Sequence, residues 1–184
     1  MSDTSRRAFV KAGMIGGFAA ALSELARAAD ATVHLPTPGE IEGPFYPITP
    51  QKDKDFDLTQ VEGKSGVARG RKITIEGRVL DTHGQPVEDA TVDLWQANAA
   101  GRYRHPHDPN PAPLDPNFQG HGHFLTQEDG GYRFRTIRPV PYPGRTPHIH
   151  VAVFPENEKP LVTQLYVRGD PRNQDDFLFN HVPG

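Results

Sequence analysis

Cysteine is absent from the 184-residue sequence, and neither sign of charge is in large excess. Without cysteine the chain has no disulfide bonds, iron–sulfur clusters, thiolate zinc sites or cysteine nucleophiles. Any metal ion must therefore be bound by histidine, tyrosine, aspartate or glutamate. The 20 lysines and arginines are scattered among 23 aspartates and glutamates rather than gathered into a basic stripe. We therefore expect no nucleic-acid partner.

The sequence after residue 30 also lacks an internal repeat and a long amphipathic helical pattern. Its length suits one domain with its own hydrophobic core. The 18 glycines and 19 prolines show no short period and are typical of a turn-rich all-β domain. Segments rich in β-branched and aromatic residues predict strands at residues 73–80, 90–96, 132–137, 148–154 and 162–167. This spacing favours a β-sandwich over alternating strands and helices.

Residues 1–28 predict a twin-arginine export signal. Arg6 and Arg7 precede an apolar run at residues 12–22, and the small-x-small sequence at 26–28 resembles a cleavage site. The run is shorter than the ~20 residues that a membrane-spanning helix needs. We therefore expect a periplasmic or extracellular protein with no membrane attachment after cleavage. An amphipathic N-terminal helix and a retained anchor are the alternatives.

The segment at residues 29–70 is rich in proline, glycine and charged residues and has little periodicity. It predicts an irregular N-terminal arm that leads into the β-sandwich domain at residues 71–184. The residues that suggest a function lie in the predicted domain at residues 71–184.

The pair His148 and His150 lies within a predicted strand. Side chains alternate between the two faces of a strand, so both imidazoles point to one face while Ile149 points to the other. Two metal ligands would thereby stand on one rigid element, although two histidines on a solvated face would give the same pattern. Two further pairs, which we interpret as rim or loop residues, are His105 with His107 and His121 with His123.

Two tyrosines and an arginine stand near this pair in the sequence. A proline-stiffened loop at residues 141–147 leads into the histidine strand and carries Tyr142 and Arg145, and Tyr103 follows the strand predicted at 90–96. Each tyrosine alone is more often a half-buried packing residue than a ligand. Together with the two histidines they favour a functional site more strongly than any of these residues does alone. The single tryptophan, Trp95, is predicted to belong to the core.

Seven motifs follow one another in a fixed order along the chain. They are W-Q-A-N at 95–98, G-x-Y at 101–103, L-D-P-N-F at 114–118, G-Y-x-F-x-T-I-x-P at 131–139, P-Y-P at 141–143, R-x-P-H-I-H at 145–150 and T-Q-L-Y-x-x-G-D-P at 163–171. In this order they resemble the intradiol ring-cleavage dioxygenases, especially the protocatechuate dioxygenase branch.

The resemblance implies a transthyretin-like β-sandwich that holds one iron(III) ion per chain through Tyr103, Tyr142, His148 and His150. Phenolate oxygens are hard anionic donors that suit iron(III), and neutral imidazole suits the same ion. The implied reaction opens a catechol-type ring with O2 between its two hydroxylated carbons and yields a cis,cis-muconate-type diacid. The domain at 71–184 would then be catalytic.

The same resemblance gives roles to three side chains beside the implied iron. Tyr142 would be the axial phenolate that the substrate displaces. Arg145 would place a fixed positive charge beside the ring, or it is a surface arginine that extends from its loop. Gln164 would hydrogen-bond near the reacting carbon, or it is a polar strand residue bonded to a neighbouring backbone.

Two other functions remain open at this stage. One is a non-catalytic exported β-sandwich that binds a ligand, and the other is an iron(II) oxygenase based on histidines and a carboxylate. Only five residues separate Tyr142 from His148, which is shorter than in larger family members and leaves the particular catechol open. The oligomeric state is open too, and a homo-oligomer is compatible with the sequence.

Overall fold

Two antiparallel sheets make up the fold in the computed structural model, which describes residues 35–182. The predicted export signal lies outside the described residues. The strands are β1 Lys72–Arg78, β2 Thr91–Trp95, β3 His121–Leu125, β4 Gly131–Ile137, β5 His148–Phe154 and β6 Leu161–Tyr166. One sheet pairs β1 with β4, and the other has the order β3-β2-β5-β6.

The hydrophobic core is built from buried apolar residues of β2, β4 and β5. On β5, Ile149, Val151 and Val153 are buried in one cluster with apolar residues of β2 and β4. The cluster also contains Val92 and Leu94 of β2 and Phe134 and Ile137 of β4. Because alternate side chains leave a strand on opposite faces, His148 and His150 stand on the face of the sheet turned away from this core. The predicted all-β sandwich is confirmed.

The described part of the N-terminal arm, residues 35–70, contains none of the six strands, yet hydrogen bonds anchor it to the sheets. Leu58 is fully buried in the main core, and its backbone N–H donates to the carbonyl of Arg135. Further upstream, the Glu40 N–H donates to the carbonyl of Val162, and the Thr163 hydroxyl donates to the carbonyl of Pro38. The arm therefore covers the edge strand β6 with one backbone hydrogen bond and one from a side chain, which leaves that edge less free to pair with other chains.

The prediction that His121 and His123 are rim or loop residues was wrong, because both lie on β3. The sequence H-G-H-F-L lacks β-branched residues, so local propensity gives little strand signal there. Pairing with β2 creates the strand: His121 lies opposite Trp95, and His123 lies opposite Asp93. Strand formation is here a tertiary effect rather than a local one.

The C-terminal segment contains two short helical elements that the sequence analysis did not identify. A 3₁₀ turn spans Pro171–Asp175, and the helix α1 spans Phe177–His181. Asp170 and Asp176 are their N-cap residues, and each accepts a hydrogen bond from a backbone N–H inside its element. Within residues 35–182, neither element nor any other helix has the length and apolar character needed to cross a membrane.

The core assignment predicts a large difference between two phenylalanines. Replacing the fully buried Phe134 with alanine should lower the free energy of unfolding by about 3–5 kcal/mol, because it leaves a cavity between the sheets. Phe177→Ala is the matched control, because its ring is 68% exposed, and it should change stability by less than about 0.5 kcal/mol. Urea denaturation measures both values, and equal effects would contradict this core.

Candidate metal centre

Three donor atoms converge on the outer face of β5. The Nε2 atoms of His148 and His150 are 3.2 Å apart, and the hydroxyl oxygen of Tyr142 lies 3.2 Å from His148 Nε2. The two imidazoles are almost completely buried. The structure therefore brings together three of the residues that the sequence suggested as ligands.

The protonation of His148 follows from its partner. Its Nδ1 lies 2.7 Å from the carbonyl oxygen of Thr146, which can only accept a hydrogen bond, so Nδ1 carries the proton. Burial lowers the pKa of His148 to about 4 and that of His150 to about 2, and the nearby Arg145 guanidinium adds to both shifts. Both rings are neutral at pH 7, and the lone pair of His148 Nε2 points to the cluster. This is the form in which imidazole binds a metal.

A tight turn places Tyr142 beside the histidines. The Arg145 N–H donates to the carbonyl of Tyr142, and Gly144 has φ of 80°. Proline at the second position and a glycine with positive φ at the third are typical of a type II turn. The sequence Y-P-G-R therefore holds the phenol and the guanidinium at the two ends of one rigid turn.

A second turn positions Tyr103. The Asn98 side-chain oxygen accepts hydrogen bonds from the N–H groups of Ala100 and Arg102. Gly101 has φ of 74°, and a Cβ there would lie 3.3 Å from the Cβ of Tyr142. Glycine therefore allows both the turn and its close approach to Tyr142. The Tyr103 ring consequently packs edge-on against that of Tyr142, with centroids 5.6 Å apart, and its centroid lies 6.0 Å from that of His150.

The phenol of Tyr103 is one of the unsatisfied groups of the cluster. Its hydroxyl is buried and has no hydrogen-bond partner in the described part of the chain. Burial raises the pKa of Tyr103 well above its usual range, and burial likewise raises the pKa of Tyr142. A buried, unpaired phenol is costly unless another group bonds to its oxygen. A cation between the two phenols and the two imidazoles would remove that cost, so the four residues fit a metal ion.

Trp95 is buried, as predicted, but it packs beside the candidate centre rather than between the sheets. Its ring stacks on that of His150, with centroids 4.8 Å apart and an interplanar angle of 9°. The arm closes the same region. The centroid of the Phe45 ring lies 5.0 Å from that of the Tyr103 ring, and a Cβ added to Gly43 would lie 3.4 Å from the His150 ring. Aromatic rings therefore shield the donor cluster from water on these sides.

A buried acidic group stands on the same face of the sheet. Asp93 accepts a hydrogen bond of 2.8 Å from the Tyr46 hydroxyl and pairs with His121 at 3.3 Å. Burial opposes ionisation, but these two partners hold the pKa of Asp93 below its ordinary value. Tyr46 in turn packs edge-on against Trp95, with centroids 4.9 Å apart. The sequence analysis missed this group because its members come from the arm and two strands.

Arg145 and Gln164, the two side chains to which the sequence analysis gave roles beside the metal, are in direct contact. The Arg145 Nη2 donates to the Gln164 side-chain oxygen at 2.6 Å, and its Nε donates to Asp176 at 2.9 Å. Burial acts to lower the pKa of Arg145, but the hydrogen bond to Asp176 and the negative charge of that residue raise the pKa above its ordinary value. The guanidinium therefore stays charged. The Gln164 amide group donates to the carbonyl of Ile41. Gln164 therefore links Arg145 to the arm.

An open cleft of about 290 Å³ adjoins the donor cluster. The cleft is lined by Pro141, Tyr142, Gly144, Arg145, Thr146, Arg172, Asp175 and Asp176. The two histidines and Tyr103 do not line it, so Tyr142 stands between the cleft and the buried donors.

Of the remaining histidines, His105 is buried in a loop next to Phe45, and neither it nor His107, His121 or His123 joins the donor cluster.

Comparison with known proteins identifies relatives of this chain. A family model described as Dioxygenase matches residues 41–183. The protocatechuate 3,4-dioxygenase beta chain of Burkholderia cepacia is 42% identical over 166 residues, which cover 77% of this chain and 71% of that protein. Hydroxyquinol 1,2-dioxygenase of Nocardioides simplex is 32% identical over 78% of this chain and 51% of its own length, so the chain spans about half of that relative.

A solved structure shows the same fold. The dioxygenase domain of a dioxygenase and carbohydrate-binding protein fusion from Streptomyces sp. SirexAA-E superimposes with a TM-score of 0.62 at 35% identity, over 78% of this chain and 82% of that one. The chain belongs to the intradiol ring-cleavage dioxygenase family, whose members use non-haem iron. The resemblance seen in the sequence motifs is thereby confirmed, and with it the class of enzyme, an oxidoreductase that cleaves catechol-type rings.

The low pKa values of the two histidines predict how the stability of the metal-free protein depends on pH. Unfolding returns each imidazole to a pKa near ~6.5, so the unfolded chain binds more protons below that pH. The two histidines therefore make their full contribution to the free energy of unfolding above about pH 6.5. Below that pH the free energy of unfolding falls by about 1.4 kcal/mol per pH unit for each histidine, down to about pH 4.5. Urea denaturation with a chelator at several pH values measures the slope. In His150→Gln the slope should drop by one histidine's share, and an unchanged slope would contradict the assignment.

Proposed function

We propose that this chain is a ferric intradiol dioxygenase that binds one iron(III) ion through Tyr103, Tyr142, His148 and His150. The convergence of Tyr142 Oη, His148 Nε2 and His150 Nε2, with neighbouring atoms 3.2 Å apart, carries the proposal. The buried and unpaired hydroxyl of Tyr103 supports it as the fourth ligand. The substrate is a catechol-type aromatic that is opened with O2 between its two hydroxylated carbons.

The charge of the ligand set is consistent with a trivalent ion. Burial raises the pKa of both phenols, so Tyr103 and Tyr142 ionise at neutral pH only beside a strong positive charge. The two imidazoles are neutral and add none. When bound, iron(III) draws electron density from a catecholate so that O2 attacks the ring. Two phenolates reduce the positive charge at the centre and thereby favour iron(III) over iron(II).

Tyr142 is placed to act as a base. Tyr142 lines the open cleft, whereas the other three proposed ligands do not. A catechol that enters must lose its hydroxyl protons before it chelates through both oxygens. We assign the acceptance of one of these protons to Tyr142 Oη, which then turns away from His148, and the acceptance of the other to a solvent hydroxide that the catechol would displace. The buried Tyr103, by contrast, stays in place.

Arg145 and Gln164 would act on the substrate ring rather than on its protons. The Arg145 guanidinium lines the cleft and stays charged, so it can stabilise negative charge that develops on the ring. Gln164 accepts from Arg145 and sets its direction. The arm residues that cover the centre exclude water, which strengthens this electrostatic stabilisation.

The two rival functions have less support. A ligand-binding sandwich without catalysis gives no reason for a buried, unpaired phenol at a cluster of metal donors. An iron(II) oxygenase needs a carboxylate beside the histidine pair, and within residues 35–182 no group of three histidine, aspartate or glutamate side chains is arranged to hold a metal. Both phenols are therefore needed to complete a ligand set.

Export by the twin-arginine route is a separate proposal that rests on the sequence of residues 1–28. It is compatible with a metal enzyme, because that route carries folded proteins whose metal is already bound. The periplasmic or extracellular location, the use of O2 and a homo-oligomeric state are likewise part of the proposal.

Visible absorption of the iron-loaded protein tests the proposed ligands. We expect a tyrosinate-to-iron(III) charge-transfer band that shifts when a catechol is added under nitrogen. Tyr103→Phe and Tyr142→Phe should each weaken the band and ring cleavage, and the double variant should be colourless. Tyr132→Phe is the matched control, because this tyrosine lies on β4 away from the donor cluster, and it should keep the full band.

Product analysis separates the enzyme from its rivals. Chromatography should identify a cis,cis-muconate-type diacid, whereas an extradiol enzyme would give a yellow product. A wild-type protein that binds one iron yet stays colourless would rule out the two phenolate ligands.

A further inference from the structure

One carboxylate in the C-terminal segment joins that segment to the turn beside the candidate centre. The Asp176 side chain is completely buried. Its Oδ1 accepts hydrogen bonds from the N–H groups of Leu178 and Phe179, which caps α1. Its Oδ2 accepts from Arg145 Nε at 2.9 Å and from the Thr146 N–H at 2.7 Å. The two oxygens thus serve two different parts of the molecule.

The contact with Thr146 reaches the histidine strand. The carbonyl oxygen of Thr146 accepts a hydrogen bond from the Nδ1–H of His148, with the two heavy atoms 2.7 Å apart. The Thr146 hydroxyl donates to the Asn173 side-chain oxygen at 2.7 Å, so the C-terminal segment holds this residue at two points. Partners of this kind orient a metal-binding imidazole and fix its tautomer.

The contact with Arg145 controls the direction of the guanidinium. Asp176 binds Nε and Gln164 binds Nη2, whereas Nη1 has no partner among the residues that the structure describes. The charge of Asp176 also balances that of Arg145 in a site with little exposure. The guanidinium is therefore fixed along one edge, and its remaining N–H groups are free for a molecule in the cleft.

We propose that Asp176 is a positioning residue for ring cleavage. It orients the guanidinium of Arg145 toward the cleft and places the carbonyl of Thr146 where it accepts a hydrogen bond from His148 Nδ1. The inference rests on the proposed function and extends it to the C-terminal segment. Asp176 lies at the lining of the cleft, but both of its oxygens already accept hydrogen bonds from the protein, so it acts through Arg145 and Thr146.

The substitution Asp176→Asn separates positioning from helix capping. Asparagine and aspartate are equally good N-caps, so the amide oxygen can still accept from Leu178 and Phe179. Its NH2 group would then face Arg145 Nε and the Thr146 N–H, where donor meets donor and the negative charge is gone. Asp170→Asn is the matched control, since Asp170 caps the neighbouring 3₁₀ turn and pairs with Arg172 instead of Arg145.

We expect kcat of Asp176→Asn to fall by about 10- to 100-fold, which is the usual range for partners of metal-site residues. The protein should still bind iron through its unchanged ligands, and Asp170→Asn should keep wild-type kcat. Equal losses in the two variants, or a loss in Asp176→Asn fully explained by unfolding in urea, would overturn the proposal. If Asp176→Asn does not fold, Asp176→Ser, a cap without a competing amide, is judged by the same criteria.

A double-mutant cycle tests whether Asp176 acts through Arg145. In the background of Arg145→Ala, the substitution Asp176→Asn should lower kcat much less than it does in the wild type, because the group that it positions is already absent. Equal fold-changes in both backgrounds would contradict the inference. A wild-type protein with no ring cleavage would refute the proposed function itself, whereas active wild type with an unaffected Asp176→Asn refutes only the positioning role.

Discussion

The alternation of side chains along β5 is the constraint on which the rest of the structure depends. Ile149, Val151 and Val153 fill the core, so His148 and His150 must stand together on the opposite face. A shift of the strand by one residue would bury two imidazoles between the sheets and expose the apolar set. The free energy that fixes the register of the strand therefore also fixes the face of the sheet on which the two histidines stand.

The remaining parts of the candidate centre are tight turns that bring polar groups to this face. Asn98 organises the turn before Tyr103, and the type II turn sets Tyr142 beside His148. Most buried polar groups around the centre have a partner, as native interiors require. The exceptions among the described residues near the centre are the Tyr103 hydroxyl and one ring nitrogen each of Trp95, His121 and His150. A bound cation would satisfy the first of these, which is why an unpaired phenol argues for a metal rather than for poor packing.

The sequence predicted the parts of this arrangement that are local in the chain. The strand of His148 and His150 was predictable because apolar residues alternate there, whereas β3 was missed because only its pairing with β2 makes H-G-H-F-L a strand. Tyr103 was tied to the histidines by the family motifs and not by any periodicity. Asp176 could not be anticipated, since a carboxylate that caps a five-residue helix gives no local sign that it also binds Arg145.

The two histidines are held by different means, and this difference explains why an irregular arm belongs to the site. His148 is fixed by a hydrogen bond to a carbonyl, whereas the ring of His150 lies flat against Trp95. Trp95 is in turn braced by Tyr46 of the arm, whose hydroxyl is bound to the buried Asp93. Stacking fixes the plane of a ring but leaves it free to slide within that plane, so His150 depends on neighbours at its edges. The arm supplies such a neighbour at Gly43 and is therefore part of the support of the centre.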